Sequence, residues 1–575
     1  MKKTMVVYIL SALVIFSALI QGGFYPSVFL SAGILLGITG IVLNNIKISI
    51  MEAVLWGFSG IYLMASLVNG YDSSSLAQAC LPLISACFIH CYLAVSIPQR
   101  KKMISILISF SMCFALIGLA ALCGALTIEG AVTAKRLQFP FQYANAAGSW
   151  YGAMALLLQE KRKVSQGILP IITAMLLTRS VGAILLYLLC LCVALYKERP
   201  DNHWQETVFV HTAAMLFAGT FYYVNGIFAW GLLATLILCD WKISLITDCA
   251  RRIYLYWPCL LCTVIGICYA FFSKRMSSAF GTLAERLIQI HDGGKMILQF
   301  PFFGIGAGNW QYLYGKVQTA QYRSTVIHSS IIQCGVDAGI AAMALGTVFV
   351  ILFWIRKNDF RVNLVVTFLY LHSLLDFTMQ FFPIAVCFLM LLFLYEEPES
   401  KAAFTVNFRG ILIVCSFLFC FLFATEQMSK RLNNAAIAGA WPVVLERYEN
   451  WESLLGRNRN ARTPYLYALY ESGDFNSMLV RTNHTETLSE QEILLRARAI
   501  REQGNEKGAC AFLLNELQNR LYRLSLFESV SQLFIVWNAP PEIRERYNEI
   551  VRISNESCSL LGNWTGSQVK IDFIQ

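Results

Sequence analysis

Residues 100–126 read RKKMISILISFSMCFALIGLAALCGAL: a run of cations, Arg100 to Lys102, and then no charged side chain from Met103 to Leu126. Such a stretch covers the roughly 20 residues that cross a hydrocarbon core as a helix, which satisfies its own backbone there. The pattern recurs on both sides of it. Further apolar segments run near 5–20, 27–43, 51–68, 77–97, 144–158, 167–178, 181–196, 207–223, 226–239, 253–272, 330–354, 362–376, 378–395 and 409–425. Some are too short to span alone, so about 12–15 membrane segments are expected. The segment behind Lys2 and Lys3 has the charge pattern of a signal peptide. It lacks a small-residue cleavage site and more spans follow, so it is read as the first helix.

Composition agrees. Hydrophobic residues make up 57% and charged residues 14%, whereas about 25% of a soluble domain is charged. The formal charge of +10 invites a nucleic-acid partner. The cations, however, sit mostly in short loops between apolar runs, as membrane orientation requires, and nucleic acid is set aside. Most of the 18 cysteines lie inside apolar runs, where a thiol acts as a small hydrophobe. Cys259 and Cys262 form a CxxC without a second pair or a histidine at ligand spacing, which argues against zinc. Cys510 and Cys558 lie in the polar C-terminal part, and nothing in the sequence pairs them.

Positive charge then assigns sides. With Lys2 and Lys3 inside, Lys47, Arg100–Lys102, Lys161–Lys163, Lys197, Arg199, Lys242, Arg251, Arg252, Arg356, Lys357 and Arg361 all fall inside too. The outer face receives 127–143, the long loop 273–327 and everything after Thr425. The expected fold is all-α: a polytopic transmembrane helical bundle over 1–425, then a soluble α-helical domain over 426–575. In that domain YLYALYESGDFNSMLV (465–480) and RARAIREQGNEKGACAFLLNELQ (496–518) place Gly473 and Gly504 between two apolar-periodic stretches. The spacing resembles degenerate tetratricopeptide helix pairs.

The outer stretches keep cations against the orientation rule: Lys135, Arg136, Arg179, Lys274, Arg275, Arg286, Lys295, Lys316 and Arg323. An anionic ligand on that face would account for them. Arg179, in LLTRSVGA (176–183), sits between two apolar half-helices, where a charge is expensive and functional by default. Arg286 precedes a glycine-rich turn in ERLIQIHDGGKMILQFPFFGIGAGNW (285–310). Such a turn can offer N–H groups to a phosphate, although no Walker or Rossmann loop is present. In IHSSIIQCGVDAGIAA (327–342), His328 stands where the loop meets the next helix. Its imidazole can take a proton from an acceptor hydroxyl, or merely hydrogen-bond at the interface. AKRLQFPFQYANAAG (134–148) brings Arg136 ahead of Asn145, read either as site residues or as an interface anchor and a helix cap. LHSLLDFTMQFFP (371–383) sets His372 and Asp376 one turn apart, as a relay or a structural pair. Outer carboxylates are sparse (Asp72, Glu129, Glu285, Asp292, Asp376) and no DxD pair occurs, so no metal is expected.

In order and character these pieces resemble the O-antigen ligase / O-antigen polymerase superfamily, over roughly residues 1–425. The resemblance rests on FPFQYANAAG, TRSVGA, the arginine-bearing segment leading into FPFFGIGAGNW, and HSSIIQCGVDAG. Ligases carry His, then Asn, Ser or Gln, nine residues, Gly, two residues, and Gly, Thr or Tyr. His328, Ser329 and Gly339 fit, while Ala342 departs from the last position. The resemblance implies a GT-C-like transferase of the cytoplasmic membrane, with no cofactor. It would move a glycan from an undecaprenyl diphosphate carrier to a glycan, lipid or protein acceptor. By position, Arg179 and Arg286 would bind diphosphate, with Arg136 as a further candidate, and His328 would act on the acceptor. LHSLLDF followed by a proline resembles members with a tetratricopeptide-like tail. A lipid or glycan transporter is the alternative of another class, but no internal repeat is evident. A tail merely anchored by the membrane part would not need so many segments.

Overall fold

The computed structural model describes residues 2–43, 47–69, 72–159, 165–198, 203–243, 281–356, 359–396, 404–405, 408–483, 488–556 and 570–574. The segment expected at 253–272, with Cys259 and Cys262, lies outside the described residues. So do Cys558, Lys161, Arg162, Lys163, Arg199, Arg251, Arg252, Lys274, Arg275 and Lys357.

The protein is all-α: 78% of the described residues are helical, with almost no strand among them. The described strands form two short antiparallel pairs, Lys47–Ile48 with Phe404–Thr405 and Val132–Thr133 with Arg136–Leu137. Among the described residues six helices are long and apolar enough to cross a membrane: Pro26–Leu43, Ile50–Val68, Ser73–Leu93, Ile97–Leu122, Ser330–Ile355 and Phe408–Ile437. They are compatible with a multi-pass membrane protein. Other expected segments are realised as shorter helices, including Ile168–Leu177, Phe360–Leu374 and Phe382–Leu392.

The chain divides into two compact units. The first comprises 1–56, 81–279 and 346–416. At its centre Ile168–Leu177 is buried over its whole length and packs against Ala144–Leu158, Ile97–Leu122 and His203–Tyr223. A helix apolar on every face belongs inside a bundle, which is why this segment needs no spanning length. Small residues admit close neighbours: a Cβ on Gly152 would lie 2.6 Å from the Phe368 ring. The N-terminus of the same helix is closed by buried Asp240, which accepts from the N–H groups of Gly167 (2.6 Å) and Leu169 (3.2 Å).

Arg100 does the converse at the C-termini of two helices. It is buried, and its guanidinium donates to the carbonyls of Leu93 (2.9 Å), Val95 (3.0 Å), Phe393 (3.2 Å) and Glu396 (2.6 Å). These are carbonyls that Ser73–Leu93 and Phe382–Leu392 leave open as they end. Arg100→Leu strips a charged donor from several buried acceptors, at about 1.5–3 kcal/mol each for the better bonds. We expect a large fall in melting temperature in detergent micelles. Arg100→Lys should recover little of it, because an ammonium cannot fork to both chain ends.

The second unit comprises 57–80, 280–345 and 417–575. Residues 281–299 form a helix, followed by the glycine-rich turn. The helix beginning at Ser330 is kinked at Gly339 (φ 86°, ψ 177°). The kink releases the carbonyls of Val336 and Asp337, which accept from the N–H groups of Ile305 (2.8 Å) and Gly306 (3.0 Å), while Ile340 N–H donates to Pro301 (2.8 Å). Backbones meet here directly: a Cβ on Gly304 would lie 2.2 Å from the Val336 oxygen, and one on Gly339 2.2 Å from the Phe302 oxygen. Only glycine fits such an approach. The N–H groups of Ile305 and Gly306 are therefore spent on the protein itself, not offered to a phosphate.

The tail, from Phe417 onward, belongs to the same unit as the loop. Gly473 (φ 80°) and Gly504 (φ 84°) turn the chain between helices Arg459–Glu471 and Phe475–Arg481, and between Glu490–Glu502 and Glu506–Gln518. Asp474 and Asn505 cap the second helix of each pair. Burial alone would raise the Glu492 carboxyl, but the fork of Arg462 (2.7 Å) with Ser489 and Thr463 holds it below the usual range. The tail is bonded to the loop: Arg459 donates to the Asn309 side chain (2.7 Å) and pairs with Asp72 (3.4 Å), and the Arg523 guanidinium lies 3.8 Å from the Tyr314 ring centre.

Candidate functional site

The sequence-predicted residues fall into two groups, one in each unit. Arg136, Arg179, Asn145, His372 and Asp376 belong to the first; Arg286, His328 and Gly339 belong to the second.

In the first unit a polar chain forms at the mouth of Ala144–Leu158. Arg136 Nε donates to the Thr178 carbonyl (3.0 Å) and its Nη2 to Asn145 Oδ1 (3.2 Å). Asn145 Nδ2 donates to Asp376 Oδ2 (2.7 Å), which also accepts from Tyr143 (3.1 Å). Asn145 is thus not the helix cap, a place taken by Tyr143; it links a cation to a buried anion. His372 is buried in the last turn of Phe360–Leu374, its ring 6.4 Å from that of Phe368.

Arg179 stands at the turn after Ile168–Leu177 with φ +51°, a left-handed conformation that an arginine rarely adopts. Its Nη1 donates to Tyr222 (3.3 Å), and its guanidinium lies 5.2 Å from that ring's centre. Lys135, itself at φ +55°, places its ammonium 5.1 Å from the same ring. Three cations from two distant segments therefore gather around Tyr222 and Thr178. Cation–π contacts contribute only about 0.5–1 kcal/mol at exposed sites, and the bond of Arg136 to the Thr178 carbonyl adds an anchor beside Arg179.

In the second unit His328 is half-buried, and its flanking backbone is held by two glutamines. The N–H of His328 donates to Gln289 Oε1 (3.1 Å) and that of Ile327 to Gln333 Oε1 (2.7 Å). Each glutamine is oriented by a carboxylate four residues away: Gln289 by Glu285 (3.2 Å), Gln333 by Asp337 (2.8 Å). Burial raises the Glu285 carboxyl above its ordinary range, against the lowering effects of Gln289 and Arg286. Asp292, fully buried, accepts from Thr319 N–H (3.0 Å), Thr319 Oγ1 (2.7 Å) and Tyr322 (3.0 Å), and so ties the loop to helix 281–299. Among the described residues no three His, Cys, Asp or Glu side chains are grouped to hold a metal ion.

The tail carries a cavity of about 400 Å³, lined by Tyr470, Arg498, Arg501, Gln532 and Trp537 among others. Arg501 lies 5.2 Å from the Trp537 ring centre.

Compared with known proteins, the chain matches no family model and no curated protein.

Sequence reading missed Gln289, Gln333, Asp337, Tyr143 and Tyr222. The Glu285–Gln289 and Gln333–Asp337 pairs carry a usable signal, four-residue spacing on helices flanking His328. Nothing local marks Tyr222, which is brought in from the far end of His203–Tyr223. Replacing both glutamines by alanine should speed amide exchange at residues 326–329, with protection of the Leu93–Ile97 segment unchanged. Unchanged exchange at 326–329 would mean that the glutamines do not hold this strand of chain.

Proposed function

We propose that this protein is an O-antigen ligase-like, GT-C-like transferase on the outer face of the cytoplasmic membrane, taking a glycan from an undecaprenyl diphosphate carrier to an acceptor hydroxyl. The observation that carries the reading is the gathering of Lys135, Arg136 and Arg179 around Tyr222 and Thr178, with two of the three on left-handed backbone. Strain combined with accumulated like charge favours an anionic ligand. A diphosphate suits guanidinium forks. By the resemblance, Arg179 in the first unit and Arg286 in the second are the diphosphate-binding candidates, and Arg136 steadies Arg179 through the neighbouring Thr178 carbonyl. His328 accepts the proton of the acceptor hydroxyl as its oxygen bonds to the sugar's anomeric carbon. The bond from that carbon to the carrier's phosphate oxygen breaks, and the carrier leaves as diphosphate. A half-buried imidazole on a backbone held by two glutamines suits that role. No metal enters the scheme.

Ala342, where ligases have Gly, Thr or Tyr, favours a second reading within the same chemistry: a polymerase whose acceptor is another lipid-linked repeat unit. In either case the tetratricopeptide-like tail, on the outer side with the loop, holds the acceptor in its Arg498–Arg501–Trp537 cavity.

With full-length protein in nanodiscs, His328→Ala should abolish transfer and keep donor binding. Arg179→Lys and Arg286→Lys should each weaken donor binding about tenfold, the loss of one charged hydrogen bond. Equal donor affinity in all three variants would contradict this division of roles. Arg498→Glu with Arg501→Glu should lower transfer to the native acceptor at unchanged donor affinity; full transfer would remove the cavity from the mechanism.

A further inference from the structure

The turn LQFPFF, residues 298–303, carries apolar side chains without cover. Leu298 is 78% exposed and Phe302 80%, and Phe300 and Phe303 are exposed beside them. Each such side chain forgoes part of the gain of leaving water, and a contiguous patch of them marks an interaction surface.

Three carbonyls of the turn beneath are engaged. Pro301 accepts from Ile340 N–H (2.8 Å), Phe300 accepts from Gly304 N–H (3.0 Å), and Phe303 accepts from Asn69 Nδ2 (3.4 Å). The Phe302 carbonyl abuts Gly339 closely enough to exclude a Cβ. Rigid backbone with bare aromatic side chains is not the signature of a frayed loop.

Two of these bonds identify what covers the patch. Asn69 directly follows Ile50–Val68, and Ile340 lies one residue past the kink of Ser330–Ile355; both helices are apolar and long enough to cross a membrane. Leu67, Val68 and Ile340 are themselves exposed. The turn therefore adjoins the exposed apolar side chains of two such helices, at the end of Ile50–Val68 and at the kink of Ser330–Ile355. Lys295, one turn before Leu298, is exposed, the arrangement in which a lysine lays its stem on apolar surface and keeps its ammonium among headgroups.

We infer that residues 298–303 form a wedge embedded in the bilayer, with Leu298, Phe300 and Phe302 among the acyl chains below the headgroups and Lys295 at headgroup level. The occupant of the patch is lipid. The accepted carbonyls of Phe300, Pro301 and Phe303 lower the cost of that entry. The wedge sets the depth of helix 281–299, and with it Arg286. This inference rests on the spanning helices and not on the transferase reading, so either can fail without the other.

The test is photocrosslinking of the full chain in nanodiscs of phosphatidylethanolamine and phosphatidylglycerol. Phe302 is replaced by p-benzoylphenylalanine, which keeps an aromatic ring at an exposed position; Leu298 is replaced in a second variant. Ile351, exposed on the helix Ser330–Ile355, and Val480, exposed on the tail, are the references. Lipid adducts at 298 and 302 as abundant as at 351, and none at 480, are the expected result. Adducts at 351 but not at 298 or 302 would place the turn in water and overturn the wedge. A crosslinked dimer from position 302 would overturn it as well, by giving the patch to a second copy of the chain.

Discussion

Helices that end among apolar side chains leave carbonyl and N–H groups that no water reaches, and much of this architecture follows from closing those ends. Arg100 closes two C-termini with one guanidinium. Asp240 closes the N-terminus of Ile168–Leu177. At Gly339 the break lies inside a helix, and the backbone of the glycine-rich turn supplies the missing partners. Arg100 and Asp240 are thus capping charges, each stabilised by several dipoles instead of by one counter-ion.

The same logic sorts the candidate arginines. Arg136 closes Thr178, and its outer nitrogen reaches Asn145 and, through it, Asp376. Arg179 is carried on strained backbone beside an aromatic ring that already has a lysine over it. Two left-handed residues beside one aromatic ring, both bearing cations, are what favours the proposed anionic ligand.

Around His328 the structural support is of another kind. Two amide side chains, each set by a carboxylate one helical turn away, hold the two N–H groups that flank the imidazole. The loop that contains it is pinned by Asp292 beneath and by Arg459 and Arg523 of the tail. A long connection is thereby made into a packed body. Its order has the same source as that of the apolar helices: Asp292, Gln289 and Gln333 find their partners inside the unit.

Much was legible in the chain itself. The all-α class, the apolar helices and the turns at Gly473 and Gly504 follow from composition and period, because a helix satisfies its own backbone and shows its buried face every third or fourth residue. Contacts between distant segments leave no such trace. That Arg100 turns inward as a cap instead of remaining a loop cation, and that 168–177 is buried on every side, depends on which helices end beside them. Likewise the glycine cluster at 304–308 looked like an open anion cradle in isolation, and only the kink at Gly339 decides that two of its N–H groups are consumed. Tyr222 meets Arg179 across some forty residues of chain, and tertiary packing alone brings them together, since neither periodicity nor spacing encodes a partner from another helix.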